Sequence, residues 1–374
     1  MKKSPKIMSV ILAALLLSAC TPATADPTID SSETPTVQNI FDDTTAPSTT
    51  IAFTDPSTST APSNDTTEPS PGSVFVGSLA IGPAGEPLRD ENGPYRIYEG
   101  GEMLLPFEIT TTGSIADNGV GILLFIDGKP QPYKTDEEPE YAYLHTFYPG
   151  EDNGYIFNFY FTPVTGSQGD LLEIYASSVL YPTYSRADGE AGMVYTSGST
   201  ASGFRLKYQE TPLSDTYPEK LPWLSDSSVS FMDTTISDTA GWSDYQFREQ
   251  IAYRFLVNGI SDTGRTSRIA YGISASEPLT LRYEVWGSPY VHFGLVFFVD
   301  NVPVADIDAE PFMLEVHNGQ KTVVEATLNL EQFDGESVIY AILVPRNYRS
   351  SEVRTTAFLE CTNAIFLVEE ASSQ

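Results

Sequence analysis

Three histidines, His145, His292 and His317, are the whole supply of imidazole in the chain. A general base poised near neutral pH, or a nitrogen-rich metal site, would have to draw on them. No Gly-x-Ser-x-Gly elbow, His-Glu-x-x-His pair, phosphate-binding loop or dinucleotide fingerprint accompanies them. His145 and His317 also fall at nearly matching places in two halves of an internal repeat, which fits scaffold positions better than parts of one active site. No catalytic residue and no cofactor is assigned.

Oxygen ligands are more plentiful. Asp136, Glu137, Glu138 and Glu140, then Glu151, Asp152 and Asn153, then Asp306, Asp308 and Glu310 form three acidic groups. Calcium takes six to eight oxygens and is the ion such groups would hold. None has the spacing of an EF-hand loop, so they are read as solvated loop charge, with no metal ligand assigned. Aromatic rings are the other candidate binding chemistry, because exposed Tyr and Trp offer amphipathic platforms to sugars and proteins. Trp242 leads these candidates, in a stretch of roughly 17 residues that the second half of the repeat has and the first lacks. Trp286, Tyr141 and Tyr143 complete the set. Cys361 alternates with Ala357 and Leu359 and is read as a buried core thiol.

The rest of the composition bounds what these residues can serve. The 374-residue chain carries 50 acids against 20 bases, a formal charge of −30. That excludes a nucleic-acid partner, which requires a basic face. Hydrophobic residues at 41% and aromatics at 12% suffice for packed domains. With two cysteines, no disulfide scaffold is available.

Lys2, Lys3 and Lys6 precede an apolar run from Ile7 to Ala19, too short to span a bilayer core at roughly 20 residues. The run closes with Leu17-Ser18-Ala19-Cys20. Here the chain resembles the bacterial lipoproteins, whose lipobox is Leu, two small residues and Cys. The resemblance implies removal of residues 1–19 as a signal peptide, and acylation of Cys20 by diacylglyceryl and palmitate-like chains. It also implies a cell-membrane location on the extracytoplasmic face. Loss of the leader would leave 17 of the 20 bases against all 50 acids.

Residues 20–72 are more than half Thr, Ser and Pro and have no Lys or Arg. Such a segment buries too little apolar surface to offset its chain entropy and is expected to be a disordered acidic linker, spanning roughly 40 Å as a coil. Ile40-Phe41 and Ile51-Ala52-Phe53 are its apolar interruptions.

From Ser73 onward, short alternating runs between Gly, Pro, Asn and Asp clusters predict β-strands, among them 155–161, 171–176, 279–285 and 338–344. The segment 245–257 fits helix or strand periodicity. Asn258-Gly259 directly after it favours a strand entering a hairpin.

Gly121-Ile-Leu-Leu-Phe-Ile-Asp-Gly-Lys-Pro130 lines up with Gly294-Leu-Val-Phe-Phe-Val-Asp-Asn-Val-Pro303, and Gly113 lines up with Gly287 after one gap. The fold class expected is all-β: two tandem immunoglobulin-like sandwiches at 73–208 and 228–374, joined by a linker at 209–227 whose Trp223-Leu224 pack at the interface. The function expected is non-catalytic: a lipid-anchored surface protein that binds a protein or polysaccharide, or serves as a spacer. Alternatives are an exported hydrolase with a carboxylate site and an accessory subunit of a membrane complex.

Overall fold

The computed structural model describes residues 78–369 except 92, 114–118, 151–153, 184–200, 214–216, 222–223, 234–250, 262–267, 275–276, 288–291, 306–309, 317–319, 331–334, 347–358 and 363. Every element within these residues is a strand.

The first sandwich contains β1 (Leu79–Pro83), β2 (Leu88–Asp90), β3 (Gly93–Tyr98), β4 (Met103–Thr111), β5 (Val120–Ile126), β6 (Lys129–Gln131), β7 (Lys134–Thr135), β8 (Leu144–Phe147), β9 (Gly154–Phe161), β10 (Leu171–Leu180) and β11 (Ala201–Tyr208). One sheet has the order β1-β4-β9-β7; the facing sheet has the order β2-β3-β11-β10-β5-β6, with β8 beside β5. Pairing is antiparallel except between β3 and β11. The chain thus opens in one sheet, crosses to run parallel to the last strand of the other, and then alternates between them. This is the immunoglobulin strand order.

The second sandwich contains β12 (Leu224–Asp233), β13 (Ile251–Val257), β14 (Ile260–Ser261), β15 (Arg268–Ile273), β16 (Leu279–Gly287), β17 (His292–Val299), β18 (Val302–Val304), β19 (Phe312–Glu315), β20 (Gln320–Leu328), β21 (Glu336–Arg346), β22 (Glu360–Cys361) and β23 (Ile365–Glu369). Its sheets, β12-β20-β16-β13-β14 and β15-β23-β21-β17-β18, repeat the first plan, again with one parallel pair, β15 and β23. β13 is a strand and Asn258-Gly259 turns it into β14. Both turn residues have positive φ, as a two-residue hairpin requires. The same geometry recurs at Asp127-Gly128 and Asp300-Asn301.

The two copies differ at one sheet edge. β12 begins at Leu224, inside the span read as linker, and runs the full length of β20. In the first sandwich the matching edge of β9 carries only the two residues of β7, which face Tyr160 and Phe159.

Each sandwich has its own core, since alternate strand residues share a face. Leu105, Phe107 and Ile109 of β4 face Phe157, Phe159 and Phe161 of β9, with Phe107 and Phe159 stacked at 4.8 Å. Phe255, Tyr283 and Phe297 hold the equivalent centre of the second sandwich. The repeated apolar runs do more than fill these cores. Ile122, Leu124 and Ile126 point inward from β5, while Leu123 and Phe125 point outward into a third apolar cluster with Tyr175, Val296, Phe298, Tyr340 and Val344. β5 and β17 are therefore buried on both faces, and the two sandwiches pack through equivalent sheets. Arg346 closes the seam, donating from Nη2 to Asp127 Oδ2 at 2.6 Å and from Nε to the Asp127 carbonyl at 2.9 Å.

The connecting residues are tied to both sides. Tyr217 donates to the Thr162 carbonyl, Tyr143 donates to that of Pro218 at 3.0 Å, and Leu221 bridges to Val304. Leu224 packs on the second core, and Trp223 lies outside the described residues.

Cys361 is half-buried against the cluster between the sandwiches and is not a core thiol. Leu359 also joins that cluster, which leaves Glu360 on the side of its cross-strand partner Leu343, in the core of the second sandwich. Burial pushes the Glu360 carboxyl up to about 7. The folded state then holds this proton more tightly than the unfolded chain does. Stability is undiminished below the ordinary carboxylate range and falls as pH rises toward 7. Glu360→Gln is expected to flatten that slope and to add about 2 kcal/mol at pH 8, allowing for the partly exposed side chain. Denaturant melts at pH 5 and pH 8 measure it.

Candidate functional site

The outer face of the β1-β4-β9-β7 sheet brings exposed apolar side chains beside acids and phenols. Alternation turns Leu104, Pro106 and Glu108 of β4 outward, and register sets them beside Tyr160, Asn158 and Ile156 of β9. Lys134 of β7 lies on the far side of Tyr160. Leu104 is 49% and Ile156 63% exposed on this face.

Two carboxylates border this apolar strip. Asp136 accepts from the Tyr160 hydroxyl at 2.6 Å and from Asn158 Nδ2 at 2.8 Å, which holds its carboxyl below the ordinary range. The Tyr160 phenol is raised by the same bond. Glu102 is lowered by Lys134 Nζ at 2.8 Å and also accepts from Tyr141 at 2.7 Å. Lys134 lies 5.4 Å from the centre of the Tyr141 ring, and Tyr217 meets that ring edge-on at 5.8 Å. The face therefore presents fixed acceptors, the Tyr160 and Tyr141 phenols that donate to them, and an apolar strip. Both carboxylates are engaged by neighbouring donors.

The residues singled out in the sequence separate on this structure. Tyr141 belongs to the face. Tyr143 is 6% exposed and buried under the connecting residues, and its phenol is pushed up to about 12 by that burial. Trp286 is 5% exposed, with no partner for its indole nitrogen among the described residues. Neither ring is open to a ligand: Tyr143 is covered by the connection, and Trp286 lies on a covered part of its sheet beside Glu284. There burial opposes the Glu284 charge, but hydrogen bonds from Arg282 and Lys321 outweigh it and hold the carboxyl low. Trp242 and Cys20 lie outside the described residues. Sequence alternation marks 155–161 as a strand without showing which face is wet and does not single out β4, and so it passes over Leu104, Ile156, Asn158 and Tyr160.

Among the acidic groups, Asp136 is engaged as above and Glu310 pairs with Lys129 at 2.8 Å. Glu138 Oε2 lies 2.5 Å from His145 Nδ1. Residues 151–153, Asp306, Asp308 and His317 lie outside the described residues. No group of three potential metal ligands comes together among the described residues.

His145 is 2% exposed, and its Nε2 meets the Tyr133 carbonyl at 2.6 Å while the Tyr133 hydroxyl donates to Ile122. It braces the 133–142 turn against β8. His145→Ala is expected to lower stability by about 2–4 kcal/mol, through a cavity and the loss of the bonds that tie the turn to β8, although the Tyr133 carbonyl keeps the Ala142 N–H. The shift of the urea midpoint measures it.

No protein-family model matches the chain, and no curated protein matches its sequence. Among solved structures it is similar to the N-terminal Ig1-2 module of the Drosophila receptor protein tyrosine phosphatase DLAR, at 11% identity and a TM-score of 0.17, over 78% of this chain and 99% of that one. It is similar to a chimeric titin Z1Z2-Z1Z2 tandem at 9% identity and a TM-score of 0.16, over 74% and 94% of the two chains. A third likeness is the C-terminal domain of the Streptococcus agalactiae AgI/II polypeptide BspA, at 9% identity and a TM-score of 0.16, over 75% and 98%. The strand order alone makes both units immunoglobulin-like sandwiches, and these likenesses add nothing to it.

Proposed function

We propose that the protein is a lipid-anchored, extracytoplasmic binding protein. Cys20 holds it to the cell membrane, and the first sandwich presents its outer sheet face to a polysaccharide or protein ligand. The observation that supports binding over hydrolysis is the exposed Leu104 and Ile156 beside half-buried Tyr160, bordered by two carboxylates that neighbouring side chains already hold. The net charge of −30 favours neutral or basic ligands and disfavours anionic polymers.

The test is binding of the detergent-solubilised mature protein to a glycan array and to cell-wall material. Tyr160→Ala combined with Leu104→Ala is expected to weaken capture about tenfold or more, since aromatic anchors dominate such faces. Capture that survives the double substitution would place the ligand elsewhere. The anchor is tested separately: Cys20→Ser should abolish labelling by radioactive palmitate and move the protein out of the membrane fraction.

A further inference from the structure

The open part of the β9 edge narrows the ligand of the candidate face to one class. Among the described residues, β7 pairs only with Phe159 and Tyr160, and no strand lies beside residues 154–157 on the side away from β4. The Pro106 carbonyl accepts from the Ala84 N–H at 2.8 Å, so even-numbered residues of β4 turn their backbone groups toward β1 and odd-numbered ones toward β9. Phe107 and Ile109 therefore exchange bonds with Phe157 and Tyr155. Ile156, between those two, turns both its N–H and its C=O to the open edge.

The Ile156 side chain, 63% exposed, stands on the outer face with an acid toward either end. Glu108 lies opposite Ile156, and its carboxylate reaches over Gly154, where an added Cβ would collide with it. The missing side chain of Gly154 leaves Glu108 within reach of the edge. Glu108 has no cationic partner among the described residues. At the other end Asp136 is exposed, and it accepts from Asn158 Nδ2 at 2.8 Å.

We infer that an extended segment of a basic partner protein adds to this edge as a strand and bonds Ile156 through its backbone. This rests on the reading of the outer face as a binding surface and gives that surface a protein ligand. Strand side chains alternate, so the recognised pattern has an aliphatic residue beside Ile156 and Lys or Arg two positions to each side. One base reaches Glu108 and the other Asp136. A sugar can stack on the face, but it has no repeating N–H and C=O groups to extend the ladder. Charge disfavours a second copy as the occupant. Neither β9 nor β12, the long edge strand of the second sandwich, contains Lys or Arg, and the chain carries −30.

The test uses the detergent-solubilised mature protein and a short fluorescent peptide containing Lys-Thr-Ile-Thr-Lys. Its anisotropy should rise on binding. The same residues reordered as Lys-Lys-Thr-Thr-Ile, or with Glu in place of Lys, should bind at least about tenfold more weakly. In hydrogen exchange, the peptide should slow the Ile156 amide about tenfold. Ile156→Pro takes away an N–H that faces the open edge, where a strand tolerates proline, and should abolish binding. Glu108→Lys, an exposed change, should weaken the Lys peptide about tenfold and strengthen the Glu peptide. Binding that ignores residue order or survives Ile156→Pro overturns the inference, because charge alone then holds the peptide. So does failure to bind the peptide alongside capture of a glycan that Tyr160→Ala with Leu104→Ala releases, an outcome that leaves the binding face in place. If peptide, glycan and cell-wall material all fail to bind, both readings fall. Slow Ile156 exchange without peptide that speeds up on dilution would give the edge to a second copy and overturn the inference.

Discussion

Phe298→Ala is expected to destabilise the protein by about 3–5 kcal/mol and to split its unfolding into two transitions. Phe298 is fully buried, yet it points away from the core of its own sandwich. Its ring stacks on Tyr340 at 5.1 Å and 5°, and meets Phe125 of the other sandwich edge-on at 6.1 Å and 87°. Truncation leaves a cavity at the centre of the cluster that joins the sandwiches and leaves Phe255, Tyr283 and Phe297 undisturbed. The cost should therefore fall on the coupling between domains. Two units that each retain a core but lose their joint stop unfolding together, and a single two-state transition no longer describes them. Differential scanning calorimetry reads this directly, and small-angle scattering should show a larger radius of gyration. Phe297→Ala, on the opposite face of the same strand, is the control: it should weaken the second sandwich while the joint survives. A Phe298→Ala protein that melted in one transition at the parent midpoint would show that the cluster does not couple the domains.

Much of this architecture is written locally. The Asp-Gly, Asp-Asn and Asn-Gly turns require residues that tolerate positive φ, and all three occur where the chain reverses. The match between Gly121–Pro130 and Gly294–Pro303 marks one fold made twice. The same runs carried a second message, because a strand apolar at every position is buried on both faces. Leu123, Phe125, Val296 and Phe298 were thus surplus to the two cores and available for a joint. What sequence could not carry is distant. Arg346 and Asp127 stand 219 positions apart, and nothing near either names the other. β12 was hidden because its Ser-rich pattern, with Val229 42% and Phe231 50% exposed, reads as linker until β20 is beside it. For the candidate face, Tyr141 was recognisable as a binding residue type. Tyr143 and Trp286 were equally plausible by type, and only their burial separates them from it.

The joint also depends on the absence of a side chain. A Cβ built on Gly294 would lie 2.5 Å from the carbonyl oxygen of Gly128 and 2.9 Å from its Cα. These are backbone atoms of the Asp127-Gly128 turn and cannot swing aside as a long side chain would. Gly294→Val should push β17 off that turn and lengthen both bonds from Arg346 to Asp127. Overpacking costs about 1–3 kcal/mol. Asp127, nearly buried, would also lose its only cationic partner among the described residues, which raises the expected loss to about 3–5 kcal/mol. Gly121→Val, at the matching place in the first copy, separates this from a general intolerance of the position. There the new side chain would meet Leu144 and Pro182, 2.8 and 3.1 Å from the Cβ, and Leu144 can change rotamer. That substitution should cost less and leave the joint closed. If Gly294→Val unfolds in one transition with the parent midpoint while Gly121→Val is the more damaging of the two, the close approach of Gly294 to Gly128 does not hold the sandwiches together.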